Sequence, residues 1–517
     1  VTEVIAVQGF GLPIAGTSRN DPFMMTAYDQ LCALAREISI ISSTGSVLGW
    51  DQETYMPEHG LNHRARQLSY LSGRAHVLAT GKKFRTALEK AEKERRRIFS
   101  KEAANVRVMR DELERAIRIP TKLVEEESTV TTHAKAAWVE ARKKSEFPLF
   151  APHLEKLLGI ARKKAELWRY ADEPYDALLA GYERGAKTRE VAKLFNSLKP
   201  ELTKIAHAAV ERSKRVPKNI LGGKYPIAKQ QQLNREIAES IGFDFKGGRI
   251  DTTTHPFCTT LGAGDVRLTT RYDESDFTSS LFGVMHEAGH GMYEQGLPQD
   301  DYGLPSGSAV SLGIHESQSR LWENHVGRSR AFWERWLPRA AEIFPNLRKL
   351  SLDTFLMEIN RSEFSFIRVE ADEATYDLHI LLRFELERRM VNGELKVADV
   401  PSAWNEEFKS LFGLTPPDDR RGCLQDIHWS MGGLGYFATY TLGNLNGAQL
   451  FATAMKQKKI RDAASKAEYA PLLTWLRDNV HSKGTTLMPR ELMRVATGRE
   501  IEPKWHLAHL KERFLAD

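Results

Sequence analysis

Cysteine is nearly absent: 517 residues contain only Cys32, Cys258 and Cys423, odd in number and far apart. No disulfide framework can be read from them, which favours a reducing, cytoplasmic setting, and they exclude a cysteine-rich metal cluster. Long apolar runs are missing too. No stretch reaches the roughly 18 uninterrupted apolar residues of a membrane span, so no membrane partner is expected. Nor is there much charge of one sign. Lys and Arg number 74 against 68 Asp and Glu, a formal net charge of +6. Nucleic-acid binding needs a clustered basic face, and so small a surplus gives no argument for it. The densest charged run, Lys90 to Arg97, mixes signs at helical spacing and reads as a solvated helix face. Fixed-period repeats, low-complexity segments and flexible linkers are also lacking. Val4 to Ala15 is mildly apolar, but Gln8, Gly9, Gly11 and Pro13 interrupt it and no basic segment precedes it, so it makes a poor signal peptide. Residues 1–24 are read as a tail and residues 25–517 as one domain.

What the chain does have is helical periodicity. Tyr28, Leu31, Leu34 and Ile38 fall three or four apart, as one buried helix face requires. The pattern recurs over Leu154–Trp168, Val191–Leu202, Phe355–Ile367 and Leu378–Met390, punctuated by Pro120, Pro174, Gly222-Gly223 and Gly393. The fold class is therefore mainly α, one large domain with two lobes around a groove. One stretch departs from this. Thr252 to Thr260, then Gly262-Ala263-Gly264, then Val266 to Thr270, is threonine-rich with a glycine turn and predicts a short β-hairpin. An edge strand there could hold an extended peptide by strand addition.

Directly after it comes His286-Glu287-Ala288-Gly289-His290. Residues four apart stack on one helix face, so both imidazoles can reach one ion, and Glu287 lies beside the water completing its shell. Ser275 or Asp276 can cap the helix and Gly296 suits its end. The bland alternative is two helical histidines satisfied by ordinary hydrogen bonds. A third ligand separates the readings, because a catalytic zinc keeps three protein donors and one open position. The extended histidine form of the motif is excluded by Tyr293 and Gly296. Glu294 shares the helix and cannot swing round. Asp300 and Asp301 lie in a turn. Glu316 opens a new helical run and is the better candidate, with Glu323 two turns on as the fallback. These parts predict a zinc peptidase in which Glu287 serves as general base.

Other segments say more. His255-Pro256-Phe257, Asp265-Val266-Arg267-Leu268-Thr269, the His286 helix, His315-Glu316-Ser317-Gln318, Ile367 to Asp372 and Gly422 to Trp429 occur in that order, preceded by Trp50 to Pro57. In these the chain resembles the carboxypeptidase Taq family of zinc metallocarboxypeptidases (HPF, DxRxT, HExxH, HESQ, IRxxAD and GxxQDxHW), from about Ala27 to the C-terminus. The resemblance implies a helical, saddle-like subunit with a long substrate groove, a homodimer, and release of C-terminal residues with broad specificity, prolyl and acidic ends excepted. It also implies Glu316 as third ligand and zinc, or cobalt in its place, as cofactor. Recognition of a peptide's terminal carboxylate calls for a guanidinium. Arg368 is the first candidate and Arg267 the second, each against a structural ion pair, with Asp372 or Asp265. His428 is read as donor to the tetrahedral oxyanion or as a core histidine fixed by Asp426. His255 is read as lining the substrate groove or bracing the hairpin. His315 is expected to support the metal site from outside, and Trp50 and Trp429 to be core. Two rivals remain: a zinc oligopeptidase cutting within short peptides, and a peptide-binding scaffold with structural zinc.

Overall fold

The computed structural model describes residues 25–94, 96, 97 and 100–516, so the tail reading of residues 1–24 lies outside the described residues. Helices dominate, and their starts follow local chemistry. Helix Ala27–Thr54 opens on a reciprocal cap between Thr26 and Asp29. The expected helical runs fall inside Ala151–Trp168, Thr188–Ser213 and Glu373–Val391. The run Phe355–Ile367 is different, because its helix, Leu352–Ile359, stops early. Beyond it the Ser362 amide donates to Ser213 Oγ and the Glu363 amide to Asp372. These long-range acceptors take the donors that a helix would have used. The charged run also exceeds its helix, Lys82–Lys93, and Ala91 is buried.

Two large apolar cores share the molecule. One surrounds helix Glu373–Val391 and takes Leu202 and Ile205 from helix Thr188–Ser213, with Trp404 and Phe408 beyond it. The other surrounds helix Phe277–Gly296, with Ile237, Leu268, Trp322 and Trp333. Helix Ala438–Ala454 joins them, giving Leu442 and Leu445 to the first and Leu450 and Ala454 to the second. A smaller core binds helix Ala27–Thr54 to Lys82–Lys93 and Lys101–Arg118. Helix Ala27–Thr54 reaches the length and apolar content of a membrane span, with mean hydropathy 1.3 over its best window, even though no uninterrupted apolar run exists. It buries Leu31, Cys32, Ala35 and Trp50.

The β element is larger than a hairpin. Strands β1 (Gly248–Thr252), β2 (Cys258–Gly262) and β3 (Asp265–Thr270) form a sheet of order β1-β3-β2. The β2–β3 hairpin is antiparallel, whereas β1 pairs parallel to β3. Thr252–Thr260 is therefore not one strand. It is the end of β1, a loop, and the start of β2, because Pro256 has no amide to donate and the Phe257 amide turns to the Thr269 side chain.

Candidate metal centre

Helix Phe277–Gly296 begins at Asp276, whose carboxylate accepts from the amides of Thr278 and Ser279. Helix Leu312–Arg320 begins at Ser311, whose hydroxyl accepts from the Ile314 amide. His286 pairs with Glu323, His290 with His315, and Glu294 also with His315, so the partner number falls as the first helix advances and the two helices run antiparallel. They touch closely at Gly289, where a Cβ would come within 2.6 Å of the Gln318 carbonyl and Ser319 Cα. On the far side Gly443 lets helix Ala438–Ala454 press on Glu316, since a Cβ there would lie 2.5 Å from Glu316 Cγ. Small residues thus fix where the third acid sits.

His286, His290 and Glu316 offer donor atoms that all lie within 4.8 Å of one another. The Nε2 atoms of His286 and His290 are 3.8 and 3.5 Å from the same Glu316 oxygen, Oε2. The remaining polar atoms of this trio are occupied. His286 Nδ1 is 2.9 Å from Glu323 Oε2, in a π-helical turn, Leu321–Val326, continuing the second helix. His290 Nδ1 meets His315 Nδ1 at 2.5 Å, and His315 Nε2 meets Glu294 Oε1 at 2.8 Å. Glu294 in turn accepts from Thr260 Oγ1 on β2 at 2.7 Å. Arg320 Nε donates to Glu316 Oε1 at 2.7 Å. Outer partners of this kind fix ring orientation and raise ligand basicity. Glu323, the fallback ligand, lies outside this trio and meets it at His286 Nδ1.

Electrostatics follow from burial and neighbours. Burial opposes ionisation of Glu316, but the Arg320 guanidinium and the imidazoles outweigh it and hold the carboxyl well below the usual range. Burial lowers His290 to about 4, with His315 adding to the effect, so its imidazole is neutral and can donate a lone pair. Burial pushes the Glu287 carboxyl up to about 7, against the pull of His286. A carboxylate poised there can take a proton and return it.

The remaining predicted residues divide. Arg368 is 6% exposed, and its partner is Asp426 rather than Asp372: Nε and Nη2 donate to Asp426 Oδ1 at 3.0 and 2.9 Å. Asp372 instead caps helix Glu373–Val391. Arg368 Nη1 donates to the Tyr376 hydroxyl at 2.9 Å, and Arg320 lies 4.5 Å over the Tyr376 ring, so Arg368 joins the metal centre through one side chain. Arg267 makes a two-pronged bond to Asp265 at 2.9 Å and covers Trp50 at 4.1 Å. His428 is not fixed by Asp426, which is committed to Arg368 and Arg383. Its ring packs on Tyr436 and Phe437, its Nδ1 is buried without a partner, and burial lowers it to about 4. His255 is exposed on the β1–β2 loop, not on an edge strand. Trp50 and Trp429 are buried.

The comparisons with known proteins agree over nearly all of the chain. The model of the carboxypeptidase Taq (M32) metallopeptidase family matches residues 30–514. The chain belongs to the M32 family. It is 41% identical over 502 residues to thermostable carboxypeptidase 1 of Thermus thermophilus, covering 95% of this chain and 98% of that protein. Carboxypeptidase 1 of Bacillus subtilis is 35% identical over 93% of this chain and 96% of its own length. Among solved structures, the M32 carboxypeptidase of Deinococcus radiodurans superposes with TM-score 0.92 at 36% identity, covering 94% of this chain and 98% of that one. Within this M32 chain, the sequence did not point to Arg320 or Tyr376. Arg320 stands four residues after Glu316, a spacing that could have flagged it. Tyr376 ties the two halves of the site together, and only the fold discloses that.

Proposed function

We propose that the chain is a zinc-dependent carboxypeptidase that releases C-terminal residues from peptides, with His286, His290 and Glu316 as ligands. The donor set supports this: two imidazoles and one carboxylate fit a catalytic zinc, and cobalt takes the same donors. A bound zinc lowers the pKa of water and polarises a carbonyl. Glu287, buried and poised near 7, takes the proton of the attacking water and passes it to the departing amine. Arg368 reads the terminal carboxylate. Three of its five N–H donors are engaged by Asp426 and Tyr376, which leaves two for a substrate. Arg267, forked onto Asp265 within β3 and covering Trp50, braces helix Ala27–Thr54 against the sheet and serves the substrate only through it. His428 offers a ring nitrogen to the oxyanion, and His255 stands at the rim of the groove beside edge strand β2, where an extended peptide binds. The subunit works as a homodimer, and its three free cysteines suit a reducing, cytoplasmic setting.

The observation that carries the reading is the three-donor cluster with Glu287 beside it and Arg368 one tyrosine away. Peptides with free or amidated C-termini, incubated with and without chelator, test it. Release of single residues from the free peptide alone, stopped by chelator, is expected; internal cleavage of both peptides would make the enzyme an oligopeptidase.

A further inference from the structure

A cavity of about 960 Å³ lies beyond the metal centre, between the end of helix Thr188–Ser213, the start of helix Arg330–Ile343, helix Leu352–Ile359 and helix Lys504–Leu515. None of the proposed ligand or substrate residues lines it. Arginine does: Arg212, Arg215, Arg328, Arg330 and Arg513 face it, against Asp353 and Glu512. Some of these cations are committed. Arg212 is partnered. Arg513 donates to Glu373 at 2.9 Å and to the Asn324 carbonyl at 2.6 Å. Arg330 meets Asp353 at 2.5 Å, but both side chains are more than half exposed, and such a surface pair contributes little.

Two cations keep free donors. Arg215 is exposed and pairs with no carboxylate among the described residues. Arg328 lies flat on Phe282 at 3.9 Å; its Nη1 donates to the Ile359 carbonyl, but its Nε is buried and without a hydrogen-bond partner. Its Nη2 is 3.9 Å from Glu323 Oε1, too long for a hydrogen bond. The side chain is about one-fifth exposed and its Nη2 makes no hydrogen bond among the described residues, so an anion in the cavity can take that donor. Ser329 caps helix Arg330–Ile343 at the same wall, so the positive end of a helix dipole also points there. His325 and His509 line the cavity too, and burial holds both imidazoles low and neutral, so they supply polar atoms without adding charge.

We propose that this cavity is a second site, separate from the hydrolytic one, that binds a small phosphate- or carboxylate-bearing molecule between Arg215, Arg328 and the Ser329 helix start. Its size exceeds a single ion and suits a metabolite with one or more anionic groups. The site stands whether or not the hydrolytic reading holds, because none of its residues is a proposed metal ligand; Arg328 meets the metal centre only at Glu323.

The test is titration of the full-length, metal-loaded protein with inorganic phosphate and, separately, with succinate, at ionic strength held constant with chloride. Saturable binding of at least one is expected, and whichever binds tighter names the headgroup. Arg215→Gln and Arg328→Gln should each weaken binding roughly tenfold or more, the loss expected for one charged contact. If Arg328→Gln does not fold, the exposed Arg215→Gln carries the test. His286→Ala, which removes a proposed metal ligand, should leave anion binding intact. No saturable binding of either probe overturns the proposal. So does binding that survives Arg215→Gln unchanged but disappears in His286→Ala, which would assign the anion to the metal centre.

Discussion

Glu287, buried, and Glu323, half-buried, are both acids close to His286, yet they face different tasks and should fail differently. Glu287 has no hydrogen-bond partner among the described residues and is raised by burial, the condition for moving a proton. Glu287→Gln keeps the shape and removes the base, so activity should fall by roughly two to four orders of magnitude with metal retained. Metal content of the purified variant beside its turnover checks both halves. Glu323 accepts from His286 Nδ1 and sits 3.3 Å from an Arg320 nitrogen. Glu323→Gln weakens that hold on the ring, and metal affinity should fall about 10- to 100-fold. Competition with a graded chelator measures it, and an unchanged affinity would make Glu323 a bystander.

Between elements, the third ligand is placed by contacts that a substitution can test. Gly443→Ala puts a methyl group within 2.6 Å of both Glu316 Cβ and Cγ and 3.2 Å of its backbone carbon. Overpacking of this kind typically costs about 1–3 kcal/mol, and the displaced Glu316 should lower metal affinity as well. Denaturation and metal titration on the same variant read the two effects. The start of the Glu316 helix rests on Glu183, which accepts from the Ser311 hydroxyl and the Gly313 amide at 3.0 Å. Burial still pushes Glu183 up to about 7 from an ordinary 4.5. A carboxyl raised on folding binds protons more tightly in the native state, so its stabilising contribution is full below about pH 4.5 and lost as pH rises towards 7. Glu183→Gln should therefore flatten the stability–pH profile across that window by about 1.4 kcal/mol per pH unit, visible in urea denaturation at pH 5, 6 and 7. What could be read beforehand in this region was what is local. The cap at Asp276, the His286–His290 spacing and the new helical run at Glu316 are matters of a few residues. Strand β1 was not legible, because Gly248, Arg249 and Asp251 are poor strand formers and the segment is a strand only through pairing with β3. The Arg368–Asp426 pair spans 58 positions, and no local pattern chooses Asp426 over the nearer Asp372.

At the scale of the molecule the question is whether metal builds the fold or occupies it. The ligands come from two antiparallel helices held by other means: the Gly289 contact, the His315–Glu294–Thr260 chain to β2, and the Glu183 carboxylate at the start of the Glu316 helix. Arg320 already compensates the Glu316 charge, so losing a cation strands no naked carboxylate. Apolar cores lie on either side of the site and contain none of its ligands. Metal should therefore add only its binding free energy, about 4 kcal/mol at a thousandfold excess over Kd. Spread over the unfolding entropy of a chain this long, that is a shift in Tm of only a few degrees. A chelator should accordingly abolish hydrolysis, leave the far-ultraviolet helix signal at 25 °C unchanged and lower Tm slightly, all reversed by added zinc. Loss of the helix signal on chelation would make the metal a structural staple, as a scaffold with structural zinc requires.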